Sequence, residues 1–135
     1  GLILYRTSSP PLLAWADQYG VDNQHGGIYG HVDCDGAIVD DRKRIWPVTE
    51  CIKAYATLAR HTDDPLAYAT LSKWLAFITQ TYFTGAGGWH EFVRRDLTPD
   101  SDFMPSSTPY HVAMAALEVE RLLGGPGAFK LKKVG

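Results

Sequence analysis

The sequence predicts an all-α protein built from helix pairs, with short β-hairpins gathered in the loops at one end. Three observations carry this reading. Four segments show helical periodicity, two glycine-rich stretches between them share one plan, and landmarks in those stretches recur at a near-constant offset.

The chain has 135 residues, 45% of them hydrophobic and 21% charged, which is the composition of one soluble globular domain able to bury a core. Its net charge of −2 gives no general attraction for phosphate backbones or anionic membranes, and the basic residues stay scattered until Lys130, Lys132 and Lys133. Neither nucleic acid nor a membrane is expected as a partner. No apolar run reaches the roughly 20 residues that a membrane helix needs, and nothing resembles a cleaved signal, so the expected compartment is the cytoplasm. Cys34 and Cys51 form no Cys-x-x-Cys pair and cannot cage a metal alone; they read as free thiols. Gly1 stands where an initiator methionine would, in an apolar stretch, so the chain reads as truncated.

The first helix is expected over residues 10–19, with Leu13, Trp15 and Ala16 near one side and Gly20 as its stop. In the second, residues 47–61, Ile52, Tyr55, Ala56 and Ala59 follow the three-and-four spacing behind a proline start. The third, residues 65–83, repeats that spacing through Leu71, Trp74, Leu75 and Ile78 until Gly85. The fourth, residues 109–123, carries Val112, Ala113, Ala116 and Leu117, with Thr108 as its N-cap and Gly124-Gly125 as its stop. Residues 125–135 show no period and read as a poorly ordered tail outside a domain of residues 1–124.

The stretches 21–46 and 85–107 each open with a glycine pair and an aromatic position, Gly26-Gly27-Ile28-Tyr29 and Gly87-Gly88-Trp89-His90. Each then runs through a short alternating strand to a turn, Asp33-Cys34-Asp35-Gly36 in one and Arg95-Asp96-Leu97-Thr98-Pro99 in the other. Each ends in a hydrophobic-Pro pair, Trp46-Pro47 and Met104-Pro105, with Thr49 or Ser107 two positions on. The offset, about 60 residues throughout, marks a repeat of one helix pair plus one hairpin loop. Such units build a ring, with helices 47–61 and 109–123 inside and 65–83 outside. The chain holds about two of them, and repeat units need neighbours to bury both faces.

With the hairpins at one end, the first turns of both inner helices point into one pocket. That gathers Trp46, Glu50, Ser107, Thr108 and His111, with Trp89 and His90 reaching in from a loop. His111 sits about three residues into its helix, where the positive end of the helix dipole disfavours an imidazolium and leaves a neutral base. Moving a proton between C1 and C2 of a sugar needs such a base. The bland reading is a packed histidine at a helix start. Glu50 could bind hydroxyls or orient a base, or simply pair with Lys53. Arg44 could grip a sugar oxygen or phosphate, although Arg42-Lys43-Arg44 also reads as a solvated loop. Trp46 and Trp89 suit a pyranose face or a core equally. His90 is a weaker candidate, and His25, His31 and His61 read as structural. Asp33 and Asp35 read as turn residues, because a calcium loop's spacing and terminal Glu are absent. No glycine-rich phosphate loop or serine elbow occurs, and no metal or cofactor is expected.

Gly26-Gly27-Ile28-Tyr29-Gly30 through Gly36, then Arg44-Ile45-Trp46-Pro47-Val48-Thr49-Glu50, and Met104-Pro105-Ser106-Ser107-Thr108-Pro109-Tyr110-His111 together resemble the N-acylglucosamine 2-epimerase superfamily. The likeness covers roughly residues 12 to 123 and is strongest to the mannose isomerase and mannose-6-phosphate-isomerase-like branch. It implies an (α/α)6 barrel, of which this chain would be the C-terminal third. It also implies aldose–ketose isomerisation or C2 epimerisation through an enediol-like intermediate, using two histidines. By the resemblance, the Pro-Tyr-His motif places one of them at His111, Trp-Pro-x-x-Glu places pocket residues at Trp46 and Glu50, and Gly-Gly-Trp places one at Trp89. The other histidine belongs to a His-x-x-Glu-Trp motif that this sequence does not contain.

The expected site is therefore His111 and Glu50 for catalysis, with Arg44, Trp46, Trp89, His90 and Thr108 for a monosaccharide or sugar phosphate. A homodimer of the full-length enzyme is compatible with this reading. One rival is a glycoside hydrolase or lyase on the same toroid, which needs two facing carboxylates, Glu50 with Glu91 or Asp102. Another is a carbohydrate-binding remnant without catalysis.

Overall fold

The computed structural model describes residues 11–124; the expected tail at 125–135 lies outside them. A first helix, α1, is described from residue 11 and continues as a π-helical segment, Ala16–Gly20. Then follow β1 (His31–Val32), β2 (Ile38–Asp40), β3 (Lys43–Arg44), α2 (Ile45–Thr62), α3 (Pro65–Thr81), β4 (Phe92–Val93) and α4 (Thr108–Leu122). All four expected helices are present, with ends displaced by one to a few residues, as fraying ends allow.

The apolar spacing that marks α2 and α3 is the spacing that is buried. Ile45, Val48, Ile52, Tyr55, Ala56 and Ala59 from α2 meet Ala67, Leu71, Trp74 and Ile78 from α3, with Ala115 from α4 closing the same core. The small Ala56, Ala59 and Ala67 let the backbones approach, and Trp74 fills the space above them. Helix α2 packs on α3 along one side and on α4 along another, so α2 and α4 lie next to each other as the ring reading expects.

Helix boundaries follow local chemistry. Asp63 adopts the left-handed conformation after α2 and its N–H returns to the Ala59 carbonyl, while Asp64 caps α3 by accepting from the Leu66 N–H, with Pro65 at the first helical position. At α4 the expected cap moves. Ser107 occupies the cap position without a side-chain cap bond, and Thr108 is already helical, because its hydroxyl is bonded to Glu91 instead.

Strands β1 and β2 form the expected hairpin, closed by the Gly36 N–H to the Asp33 carbonyl and by Asp33 Oδ1 accepting from Asp35 and Ala37. Strand β4 meets its own loop across the expected 95–99 turn, where Val93 bridges Pro99 and the Asp100 N–H donates to the Phe92 carbonyl (2.9 Å). It also pairs antiparallel with β3, Lys43 opposite Val93 and Arg44 opposite Phe92, and so joins the two repeat units. Of the three basic residues read as a solvated loop, only Arg42 is exposed outside a strand: Lys43 is fully buried, its ammonium donating to Asp22 (2.9 Å) and to the Arg95 carbonyl (2.7 Å). Gly27 leaves room for this lysine, since a Cβ there would sit 2.9 Å from Lys43 Cδ. His25 joins the same buried group, its Nδ1 lying 3.2 Å from Asp22 Oδ2. Cys34 and Cys51 are free thiols. Among the described residues no helix is long and apolar enough to cross a membrane.

Candidate active site

Two helix starts are brought side by side at the hairpin end. Pairing of β3 with β4, extended by the Ile45 N–H to the Glu91 carbonyl (3.1 Å), fixes where α2 begins, and Thr108 on Glu91 fixes where α4 begins. Residues one turn into each helix then face one another. His111 Nδ1 lies 2.8 Å from Glu50 Oε1, although 61 residues separate the two in sequence. A carboxylate only accepts, so Nδ1 is the donor in this contact, and in the neutral imidazole that tautomer places the lone pair on Nε2. The other Glu50 oxygen lies 2.6 Å from Lys53 Nζ. Glu50 thus has one oxygen on His111 and the other on Lys53.

The Trp46 ring and the His111 imidazole meet in a T-shaped arrangement, centroids 5.5 Å apart at 79°, and Tyr110 meets the imidazole likewise at 5.5 Å and 77°. The side chain of His111 is 26% exposed and that of Glu50 38%, so both are reachable from outside yet held by protein on several sides. Trp46 and Glu50 also line a cleft of about 490 Å³ whose walls are mostly apolar, formed with Trp15, Ile28, Tyr29 and Cys51. Among the described residues no group of three or more His, Cys, Asp or Glu side chains is arranged to hold a metal ion.

The expected residues do not share one pocket: Trp46 and Glu50 line the cleft above, and His111 lies beside Glu50 without lining it. Trp89 and His90 line a separate groove of about 340 Å³ with Phe103 and Met104, because the loop before β4 folds back on the segment before α4 rather than over α2. Thr108 is not at a cavity wall either. It is completely buried, its hydroxyl donating to Glu91 at 2.8 Å. Arg44 is part-exposed, with Nε on Glu91 Oε1 at 2.5 Å and its guanidinium 5.4 Å from the Phe92 ring centre. Glu91 itself has no exposed surface and is covered by Arg44, Trp89 and Thr108, so it cannot face Glu50 across a cleft as a glycosidase acid would.

The model of the N-acylglucosamine 2-epimerase (GlcNAc 2-epimerase) family matches residues 7–115. The chain belongs to this family. Solved structures repeat the fold: a D-mannose isomerase aligns with a TM-score of 0.77 and 22% identity over 89% of this chain and 34% of its own. Cellobiose 2-epimerase from Spirochaeta thermophila DSM 6192 aligns with a TM-score of 0.72 and 16% identity, over 90% of this chain and 35% of its own. For cellobiose 2-epimerase from Bacillus thermoamylovorans B4167 the values are 0.73, 22%, 88% and 36%. The chain thus spans about a third of the length of these structures, and its helix pairs form a partial toroid. No curated protein matches the sequence.

For a member of this family, the residues that sequence reading overlooked are the buried charges. Asp22 carries no motif, Lys43 reads in sequence only as part of a solvated basic loop, and Glu91 reads only as a facing acid. One signal was available: Trp89, Glu91 and Val93 alternate through an extended segment, which puts the Trp89 indole and the Glu91 carboxylate on one face. Their hydrogen bond, 3.0 Å from Nε1 to Oε2, follows from that spacing.

Proposed function

We propose that this chain supplies one of the proton-transfer bases of a sugar isomerase or epimerase, with His111 as the base and Glu50 as the group that orients it. The single observation behind this is the 2.8 Å His111–Glu50 contact beside Trp46, at two adjacent helix starts.

The chemistry follows from the tautomer. Glu50 keeps the proton on Nδ1, so the Nε2 lone pair takes the proton from sugar C2. The C2–H electrons become the C1=C2 bond and the carbonyl π electrons move to O1, giving an enediolate. Return of the proton from Nε2 to C1, with the O2–H proton passing to O1 as the C2=O2 bond forms, gives a ketose; protonation of C2 from the opposite face by a second acid, as the C1=O1 bond re-forms, gives the epimer and leaves the first proton on His111 to be lost to solvent. Trp46 offers an apolar ring face or edge to the pyranose, and the outer nitrogens of Arg44 offer donors to a hydroxyl or a phosphate. D-mannose is the substrate to try first, because the D-mannose isomerase shares the fold. The two free thiols support a cytoplasmic setting.

Sugar binding without turnover is the second reading, supported by Trp15 and Trp46 on the walls of the mostly apolar cleft. Incubation with 13C-labelled D-mannose separates the two. New ketose or epimer signals support catalysis, saturable quenching of tryptophan fluorescence without new signals supports the binding reading, and the absence of both contradicts either one.

A further inference from the structure

Glu91 is a buried carboxylate whose three side-chain partners come from three different parts of the chain. Arg44 Nε donates to Oε1 at 2.5 Å, and Trp89 Nε1 (3.0 Å) and Thr108 Oγ1 (2.8 Å) both donate to Oε2. Its backbone carbonyl accepts from the Ile45 N–H as well. Ile45 opens the helix that carries Trp46 and Glu50, and Thr108 opens the helix that carries His111. One residue therefore ties together both helix starts on which the candidate site stands.

A charge with no exposed surface is costly to desolvate and is retained only when its oxygens are fully bonded. An apolar residue would close the same space without that cost. What an apolar residue cannot do is fix the directions of a guanidinium, an indole and a hydroxyl at once, because only directed hydrogen bonds carry that geometry. We propose that Glu91 is the positioning residue of the site: it aims Arg44 at a bound sugar, anchors the Trp89 indole beside it, and sets the register between the α2 and α4 starts. It does not touch the sugar itself. This rests on the sugar-site reading above.

Glu91→Gln keeps the shape and removes the charge, leaving one oxygen and an amide that opposes a donor. In a 15N-labelled sample the Arg44 Nε–H and Trp89 Nε1–H resonances should move, with the helical circular dichroism retained. D-mannose affinity, read by tryptophan fluorescence, should fall about tenfold, as expected for loss of one charge-assisted hydrogen bond. In an Arg44→Ala background the same substitution should cost at most about twofold, since Glu91 acts through Arg44. An equal loss in both backgrounds, or unmoved resonances, overturns the proposal. Thr108→Val provides a second variant that leaves the acid paired with Arg44. It should shift the His111 ring signals while leaving Arg44 Nε–H in place, and unmoved His111 signals would overturn the link between the helix starts. If the unaltered chain binds no D-mannose, the sugar-site reading fails on its own; the resonances then decide whether Glu91 holds Arg44 and Trp89.

Discussion

Lys43 and Asp22 form an ion pair at 2.9 Å with side chains 0% and 1% exposed, and this pair locks the first hairpin loop against the β3–β4 ladder. Burial alone would raise the Asp22 carboxyl. The Lys43 hydrogen bond, the backbone N–H groups of His25 and Gln24 and the Lys43 charge outweigh it and hold the group well below the usual carboxylate range. A folded value below the unfolded one stabilises the fold above about pH 4, and that contribution is lost as acid carries the pH down through the depressed range. Urea unfolding from pH 6 to pH 2 should show stability falling on the acid side, with a shallower fall in Asp22→Asn. Lys43→Met, which removes the nearer of the two cations on the buried carboxylate and leaves Arg95 at 3.6 Å, should cost about 3 kcal/mol at neutral pH.

The two thiols should differ sharply in reactivity. Cys34 is exposed on the β1–β2 turn, whereas burial, reinforced by the charge of Asp17, pushes the Cys51 thiol up to about 12. Only the thiolate is nucleophilic. Iodoacetamide at pH 8 should therefore add one label by intact mass, at Cys34, with the second appearing only in denaturant.

Gly36 is held by geometry on both counts that matter. Its φ is +85°, and a Cβ there would lie 2.1 Å from Tyr19 Cδ1. Gly36→Ala should cost about 1–3 kcal/mol in thermal or urea unfolding. Gly85→Ala, with nothing within 4 Å of the added carbon, should stay within about 0.5 kcal/mol of the unaltered chain.

These contrasts show which physics a sequence makes visible. Helices α2 and α3 were legible because seventeen or eighteen residues repeat an apolar period, and the β1–β2 turn because Asp33 and Gly36 have few other uses. A two-residue strand has no period, so the pairing of Lys43-Arg44 with Phe92-Val93 across the repeats left no trace. Buried charge is equally silent. Lys43 and Glu91 look like solvent-facing residues until the partner that satisfies each one is in place. The meeting of His111 with Glu50 was legible only through the repeat, which predicted that both helix starts share one end. The same logic placed Trp89 and His90 too close to them, because the repeat says nothing about how the second loop folds back.

The central claim is that Glu50 fixes the tautomer in which His111 Nε2 takes a proton from sugar C2. Its most direct measurement is exchange of the D-mannose C2 proton with solvent in D2O, followed by 1H NMR. The account predicts measurable exchange with the unaltered protein, at least about a tenfold slower rate with Glu50→Gln, and none with His111→Ala, whose helical circular dichroism is unchanged. Exchange by His111→Ala at the unaltered rate would contradict it.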